Sequence, residues 1–166
     1  SMKKLKVGIV GVGSTARVAH IGNYNAMPDV EIPAVCDIVP EKMEFSGIPV
    51  GAAKYTDYRE MIDTADIDAV DICTPNDLHS EIAVYALGHG KHVFCEKPDA
   101  ISAAERQKMS EAEARSGKTL MVMRNNRHTA GSRYLKQCIE QGEFGDIYAG
   151  RCGWIRRRGI PGKGGW

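Results

Sequence analysis

The sequence lacks long apolar runs and lacks an excess of charge of either sign. No stretch of its 166 residues approaches the roughly 20 consecutive apolar residues that a membrane-spanning helix needs. Lys3 and Lys4 lead directly into a short apolar segment, without the pattern of a signal peptide. Lys and Arg total 22 against 21 Asp and Glu, a net charge of +1. We therefore expect neither a membrane nor a nucleic acid among the partners.

Cysteines are few and widely spaced. The five of them form no Cys-x-x-Cys pair, so neither a redox motif nor a cysteine metal site is expected. An odd number without close spacing favours a reducing compartment over a disulfide scaffold, which predicts a cytoplasmic protein.

Glycine is abundant, and its most informative use is near the N-terminus. An apolar segment at 5–10 runs into Gly11-Val-Gly13-Ser14-Thr15-Ala16. In a dinucleotide-binding crossover the first glycine allows the tight turn and the second lets the backbone approach a pyrophosphate. A small residue such as Ala16 lets the following helix pack on the strand, and the N–H groups of its first turn face the phosphates. The alternative is an ordinary glycine-rich turn in another kind of α/β domain.

Apolar strand patterns alternate with helical patterns along most of the chain. Strands are predicted at 5–10, 31–36, 53–55, 68–73, 92–95 and 119–123, and helices at 15–27, 57–63, 78–87 and 102–116. A short connection at 40–51 has room for one or two helical turns. This alternation predicts an α/β fold with a doubly wound, Rossmann-type parallel sheet over residues 1–123. Residues 124–166, with a helix at 132–141 and a strand-like stretch at 145–155, are expected to begin a second α/β domain that continues beyond this chain.

Asp37 follows the second strand, 26 positions after Gly11. A carboxylate there can accept hydrogen bonds from the ribose hydroxyls of an adenosine and would repel a 2′-phosphate. The next residues, Ile38 and Val39, offer no arginine to receive such a phosphate. Asp37 thus favours NAD over NADP. The alternative is a surface aspartate that opens a turn before Pro40.

The fourth strand is followed by Thr74-Pro75-Asn76, with His79 shortly after. Pro75 turns the chain away from the sheet at the edge where ligands bind. Asn76 can donate or accept a hydrogen bond there. His79 could contact a ligand, or could be a buried structural histidine.

Glu96-Lys97-Pro98 follows the fifth strand. A lysine at this edge can hydrogen-bond a substrate hydroxyl and, if desolvated, join in proton transfer. Glu96 could tune that lysine or bind cofactor, and the Lys97–Pro98 bond could be cis. By residue types alone the same three residues are also typical of a polar turn.

Taken in order, the glycine fingerprint, Thr74-Pro75-Asn76 and Glu96-Lys97-Pro98 resemble the Gfo/Idh/MocA oxidoreductases. The resemblance implies an N-terminal Rossmann domain followed by a C-terminal α/β domain with a large, mostly antiparallel sheet. It implies NAD(P)-dependent oxidation or reduction of hydroxyl carbons in sugars, cyclitols and related compounds, and association into homo-oligomers. Lys97 matches the catalytic lysine of the family. Its usual partner, a histidine in a downstream Asp-x-x-x-His motif, does not occur in this chain.

Three departures from the family pattern concern the cofactor and substrate pockets. The 40–51 connection is short, Asp99 stands where an apolar residue is common, and Asn126-Arg127-His128 replaces an Asn-x-Arg-Phe type of sequence. Arg127 could contact cofactor or substrate, or could make hinge contacts between domains.

The predicted function is an NAD-dependent oxidoreductase that transfers a hydride to or from a sugar-like hydroxy compound. The alternative is a non-catalytic NAD(P)-binding or sensing protein. The 166-residue chain alone is expected to bind cofactor without turnover, because the acid–base partner of Lys97 lies outside it. The segment 156–166, with its three consecutive arginines, also resembles the family.

Overall fold

The computed structural model describes residues 3–155 and residue 157, so most of the 156–166 segment lies outside the described residues. The chain divides into two compact units, Ser1–Met123 and Arg124–Trp166. No helix within the described part of the chain is long and apolar enough to cross a membrane.

The first unit is built on a six-stranded parallel sheet. Its strands are β1 (Leu5–Val10), β2 (Val30–Cys36), β3 (Ala53–Tyr55), β4 (Ala69–Ile72), β5 (His92–Cys95) and β6 (Leu120–Val122), in the spatial order β3-β2-β1-β4-β5-β6. This order reverses between β1 and β4, which is the doubly wound arrangement that the sequence predicted. The fold prediction is confirmed.

Helices cover both faces of the sheet. A π-helical segment, Ala16–Ile21, continues as α1 (Gly22–Ala26), followed by α2 (Tyr58–Thr64), α3 (His79–Gly88) and α4 (Ala103–Ser116). Short 3₁₀ turns occupy Pro40–Glu44 and Asn76–Leu78. Because side chains alternate along a strand, Ile9 and Val10 enter two different buried clusters, one on each face. Both faces are therefore apolar, as a covered parallel sheet requires.

Local capping explains where two of the predicted helices begin. The Asp57 carboxylate accepts the Arg59 N–H at 2.8 Å, and the Ser102 hydroxyl accepts the Glu105 N–H at 3.2 Å. At the other end of α4, Gly117 takes the left-handed conformation, with φ of +63°. These residues satisfy backbone groups that a helix end leaves unpaired.

The second unit contains a 3₁₀ turn, Asn125–His128, and the amphipathic helix α5 (Ala130–Glu140), capped by Thr129. The strand-like stretch predicted at 145–155 forms no strand. That prediction is wrong for the described chain, because a strand needs a hydrogen-bonding partner and none pairs with it there.

Candidate functional site

The last residues of all six strands lie in one row across the sheet. Backbone pairing aligns Tyr55, Cys36, Val10, Ile72, Cys95 and Val122 in that spatial order. The residues that follow each strand therefore emerge at one edge. Gly11, Asp37, the segment at 73–76 and Glu96 are brought together in this way, as the parallel topology predicts.

The two glycines of the glycine turn have different surroundings: Gly11 packs closely against neighbouring backbone, and Gly13 faces open space. Gly11 has φ of +91°, and a Cβ there would lie 2.7 Å from the backbone carbonyl of Cys73. A Cβ on Gly13 would meet nothing within 4 Å, so the space over this residue is open. Ser14 and Thr15 are exposed at the start of the helical run, whereas Ala16 is fully buried against the sheet. A tight turn with an open backbone face before a helix fits a pyrophosphate group.

Asp37 is buried rather than exposed on a surface turn. One carboxylate oxygen accepts the Val12 N–H at 2.8 Å, and the other accepts the Val39 N–H at 2.9 Å. The Lys42 ammonium lies 3.6 Å away. Asp37 thus ties the glycine turn to the end of β2, and its remaining lone pairs leave acceptor capacity for a ribose hydroxyl.

A cavity of about 450 Å³ opens beside the glycine turn. Two of its lining residues, Arg17 and Phe45, stack with the guanidinium 5.2 Å from the ring centre. Arg17 also donates to the carbonyls of Val12 (3.0 Å) and Lys42 (2.8 Å). No sequence motif indicated Arg17, Lys42 or Phe45, although the spacing of four between Gly13 and Arg17 on a helix places the arginine beside the turn.

His79 connects two of the predicted motifs. Its Nδ1 lies 2.6 Å from the Pro98 carbonyl oxygen and its Nε2 lies 2.9 Å from the Thr74 carbonyl oxygen. The residue is 1% exposed. Both ring nitrogens are used within the protein, so the geometry fits the structural alternative better than a cofactor contact. Pro75 and Asn76 continue from Thr74 at the edge itself, where the Asn76–Leu78 turn begins.

Lys97 is exposed and follows a buried acid. The Lys97–Pro98 peptide bond is cis, which the sequence had left open. Glu96 is 8% exposed, and its Oε2 accepts the backbone N–H of Lys97 at 3.1 Å. The Lys97 side chain is therefore presented to solvent by a turn whose backbone a carboxylate holds.

A buried histidine that no sequence motif indicated lies beneath this turn. His20 Nδ1 is 2.7 Å from Asp71 Oδ2, and His20 Nε2 is 2.8 Å from Glu96 Oε1. Burial alone would lower the pKa of His20, but the hydrogen bonds and charges of Asp71 and Glu96 raise it to about 9. The available signal was Asp71, a charged residue inside the apolar strand β4, because a buried acid requires a partner.

The described residues include one cluster of possible metal ligands. It comprises His20, Asp71 and Cys73, whose ligand atoms lie within 4.8 Å of one another. Both nitrogens of His20 already face carboxylates. Burial, first, and the neighbouring acids raise the pKa of Cys73, which keeps it a thiol, whereas metals bind the thiolate. The cluster therefore fits a hydrogen-bond network better than a metal site.

Arg127 belongs to the second unit. It is exposed in the Asn125–His128 turn, where its N–H donates to the Arg124 carbonyl at 2.9 Å.

Comparison with known proteins decides the family. Residues 5–124 match the model of the Gfo/Idh/MocA family, described as an oxidoreductase family with an NAD-binding Rossmann fold. The chain belongs to the Gfo/Idh/MocA family. The resemblance inferred from the motifs is thereby confirmed.

Relatives within the Gfo/Idh/MocA family include sugar and cyclitol dehydrogenases. The chain is 38% identical over 144 residues to inositol 2-dehydrogenase of Salmonella typhimurium, covering 85% of this chain and 43% of that protein. It is 32% identical over 161 residues to D-glucoside 3-dehydrogenase of Escherichia coli, covering 96% and 46% respectively. The chain thus spans less than half the length of these relatives.

Solved Gfo/Idh/MocA structures share the fold. WlbA dehydrogenase from Bordetella pertussis, in complex with NADH and UDP-GlcNAcA, is 32% identical with a TM-score of 0.84, covering 89% of this chain and 43% of that one. The scyllo-inositol dehydrogenase of Lactobacillus casei, with bound NAD(H) and scyllo-inositol, is 30% identical with a TM-score of 0.81, covering 87% and 43%.

Proposed function

We propose that this chain is the cofactor-binding part of an NAD-dependent dehydrogenase that acts on a hydroxyl-bearing carbon of a sugar, cyclitol or related compound. The observation that carries the proposal is the common edge where the glycine turn, Asp37, the Thr74–Asn76 segment and Lys97 emerge from one parallel sheet. The substrate class is supported by the names of the inositol and glucoside dehydrogenases that the chain resembles.

The cofactor would lie along that edge. Gly13 and the exposed Ser14 and Thr15 would hold the pyrophosphate, because the face over Gly13 is open and the helical run begins there, and Gly11 would form the tight turn that allows this approach. The cavity beside the turn, with Phe45 as an apolar wall, would take the adenosine, and Asp37 would accept from its ribose. When bound, NAD supplies or accepts the hydride.

Lys97 would act on the substrate hydroxyl. Its exposed ammonium can hydrogen-bond the oxygen of the reacting carbon, and proton transfer at that oxygen must accompany the movement of hydride. The set that we propose for cofactor binding or its support also includes Thr74, Pro75, Asn76, Glu96 and Arg127. His79 connects the Thr74–Asn76 segment to the Glu96–Pro98 turn through the carbonyls of Thr74 and Pro98.

Substituting Lys97 tests the proposal. In the full-length protein, Lys97→Ala should lower kcat for the best of a panel of cyclitols and sugars by about 100-fold or more, the range typical of a lost general acid or base. NAD affinity should change little. Lys108→Ala on the exposed face of α4 is the matched control and should retain activity. Full activity of the Lys97 variant would refute the catalytic role.

Calorimetry on the 166-residue chain separates binding from catalysis. We expect it to bind NAD without turning over any substrate. If the full-length protein also binds NAD but oxidises nothing in the panel, a non-catalytic NAD-binding protein becomes the better description.

We further propose a cytoplasmic homo-oligomer. The odd number of cysteines and their wide spacing in the sequence support a reducing compartment. Light scattering of the full-length protein would show a mass above that of one chain, and a monomer would exclude the oligomer.

A further inference from the structure

A buried row of three side chains, Asp71, His20 and Glu96, lies beneath Lys97, and the proposed function gives His20 and Asp71 no role. Its members come from three elements that meet at the sheet edge. His20 lies in the π-helical segment that follows the glycine turn, Asp71 lies in β4, and Glu96 directly follows β5. One-turn π segments inside helices are frequent at functional sites.

A continuous set of hydrogen bonds connects the core to the lysine turn. The side chains of Asp71 and His20 are 0% and 1% exposed, and they are 2.7 Å apart at Oδ2 and Nδ1. His20 Nε2 reaches Glu96 Oε1 at 2.8 Å, and Glu96 Oε2 accepts the Lys97 N–H at 3.1 Å. Both oxygens of the Glu96 carboxylate are thus engaged, one by His20 and one by the backbone of the lysine turn.

The groups around His20 leave it as the cation that faces both carboxylates. Tyr24 and Phe94 contact its ring from α1 and β5, and the Cys73 thiol lies 3.7 Å from the far oxygen of Asp71. Burial, reinforced by Asp71, raises the pKa values of the Tyr24 phenol and the Cys73 thiol, so both are neutral. If His20 were a neutral imidazole, two buried carboxylates would face a ring that can donate to only one of them.

We propose that His20 is a positioning residue for Lys97: as an imidazolium it clamps the Glu96 carboxylate, and Glu96 holds the backbone of the turn that presents the lysine. The catalytic role of Lys97 on which this proposal depends is the one given by the proposed function. Because His20 follows the glycine turn by a few residues, the same clamp links the part of the chain that would hold the pyrophosphate to the part that would hold the substrate hydroxyl.

The protonation of His20 can be tested on the 166-residue chain without any variant. Nitrogen-15 spectra of histidine side chains distinguish imidazolium from neutral imidazole. We expect both ring nitrogens of His20 to carry protons at pH 8, which lies above the ordinary pKa of a histidine side chain. A neutral His20 at pH 8 would overturn the proposal.

The effect on the turn requires a variant and a readout other than activity. His20→Gln should move the backbone amide resonance of Lys97 and speed its hydrogen exchange by about tenfold, the equivalent of one lost hydrogen bond to a charged acceptor. His89→Gln, at the exposed end of α3, is the matched control and should leave that resonance in place. An unchanged Lys97 amide in folded His20→Gln protein would overturn the proposal.

Kinetics of the full-length protein complete the test. His20→Gln should lower kcat by about 10- to 100-fold, as expected for a misplaced catalytic group, while the Kd for NAD changes far less. The alkaline limb of the pH profile of kcat should also shift along the pH axis in this variant. If wild-type protein turns over no substrate, the proposed function fails, and the Lys97 amide still decides whether the clamp exists.

A second variant covers the case in which His20→Gln does not fold. His20→Gln combined with Asp71→Asn removes one buried charge together with the cation, so the core is left with a single acid to accommodate. In this folded background the Lys97 amide should shift as in the single variant, and an unmoved amide would again refute the clamp.

Discussion

Gly11 and Gly13 are two residues apart in one turn, yet they meet their surroundings in opposite ways. Gly11 has a positive φ and faces the backbone of Cys73 and Thr74 at less than 3 Å from an added Cβ. We expect Gly11→Ala to destabilise the chain by about 2 kcal/mol or more, because strain in φ adds to a clash with backbone that cannot move aside. Urea unfolding followed by circular dichroism measures the loss.

Gly13→Ala is the matched variant, because a Cβ there meets no protein atom within 4 Å. Its unfolding free energy should stay within about 0.5 kcal/mol of wild type. Its affinity for NAD should nevertheless fall, since the added methyl group would occupy the open face where the pyrophosphate is proposed to lie. A Gly13→Ala chain that binds NAD as tightly as wild type would exclude that placement.

Asp37 determines the expected preference between cofactors. Its carboxylate lies 3.6 Å from the Lys42 ammonium, and Lys42 and Arg17 are two cations that line the cavity beside the glycine turn. Replacing it by asparagine removes the negative charge that would repel a 2′-phosphate and leaves the two cations. We expect Asp37→Asn to shift the ratio of NAD to NADP affinity by about tenfold towards NADP, or about 1.4 kcal/mol.

Calorimetry with both cofactors measures that ratio, and Glu41→Gln provides the control. Glu41 is an exposed acid in the neighbouring 3₁₀ turn, so this variant changes the net charge by the same amount. The affinity ratio should then remain as in wild type. Equal ratios in the Asp37 and Glu41 variants would mean that Asp37 acts only in holding the turn.

At the scale of elements, the strands of the sheet and the extent of the first helix were predictable, but the π-helical geometry of that helix was not. The bounds predicted for β1, β3 and β5 agree with the structure, because apolar runs bounded by turn residues allow few other placements. The first helix contains the π-helical segment Ala16–Ile21. Its geometry brings His20 to acids that lie 51 and 76 residues away, and local periodicity carries no information on such partners.

The capping of α4 gives a prediction at the same scale. Ser102→Ala removes the hydroxyl that accepts the Glu105 N–H and should cost about 1 kcal/mol of unfolding free energy. Ser110→Ala, inside the same helix, is the control and should be within about 0.5 kcal/mol of wild type, since alanine has the higher helix propensity. Equal losses in the two variants, measured by urea unfolding, would contradict the capping role.

For the whole molecule, the aligned strand ends explain why so much of the site could be predicted. A parallel sheet brings the residues after every strand to one edge, so Gly11, Asp37, Thr74 and Glu96 could be grouped without knowing any contact. What could not be predicted is which of these residues are hydrogen-bonded within the protein and which remain open to a ligand. Asp37 and His79 are buried and hydrogen-bonded within the protein. Glu96 holds the backbone of the lysine turn and is itself hydrogen-bonded by His20, which lies in the helical segment after the glycine turn.

That buried histidine also predicts how the stability of the chain depends on pH. The folded pKa of His20, about 9, lies above its ordinary value of 6.5, so its contribution is complete below pH 6.5 and is lost as pH rises through 9. Over that interval the folded state binds one more proton than the unfolded state, and the unfolding free energy should fall by on the order of 3 kcal/mol. Urea unfolding at pH 6.5, 8 and 9.5 measures the decline. The His20→Gln/Asp71→Asn variant should show a flatter profile, because it lacks the group that takes up the proton. An equally steep decline in that variant would place the titrating group elsewhere in the chain.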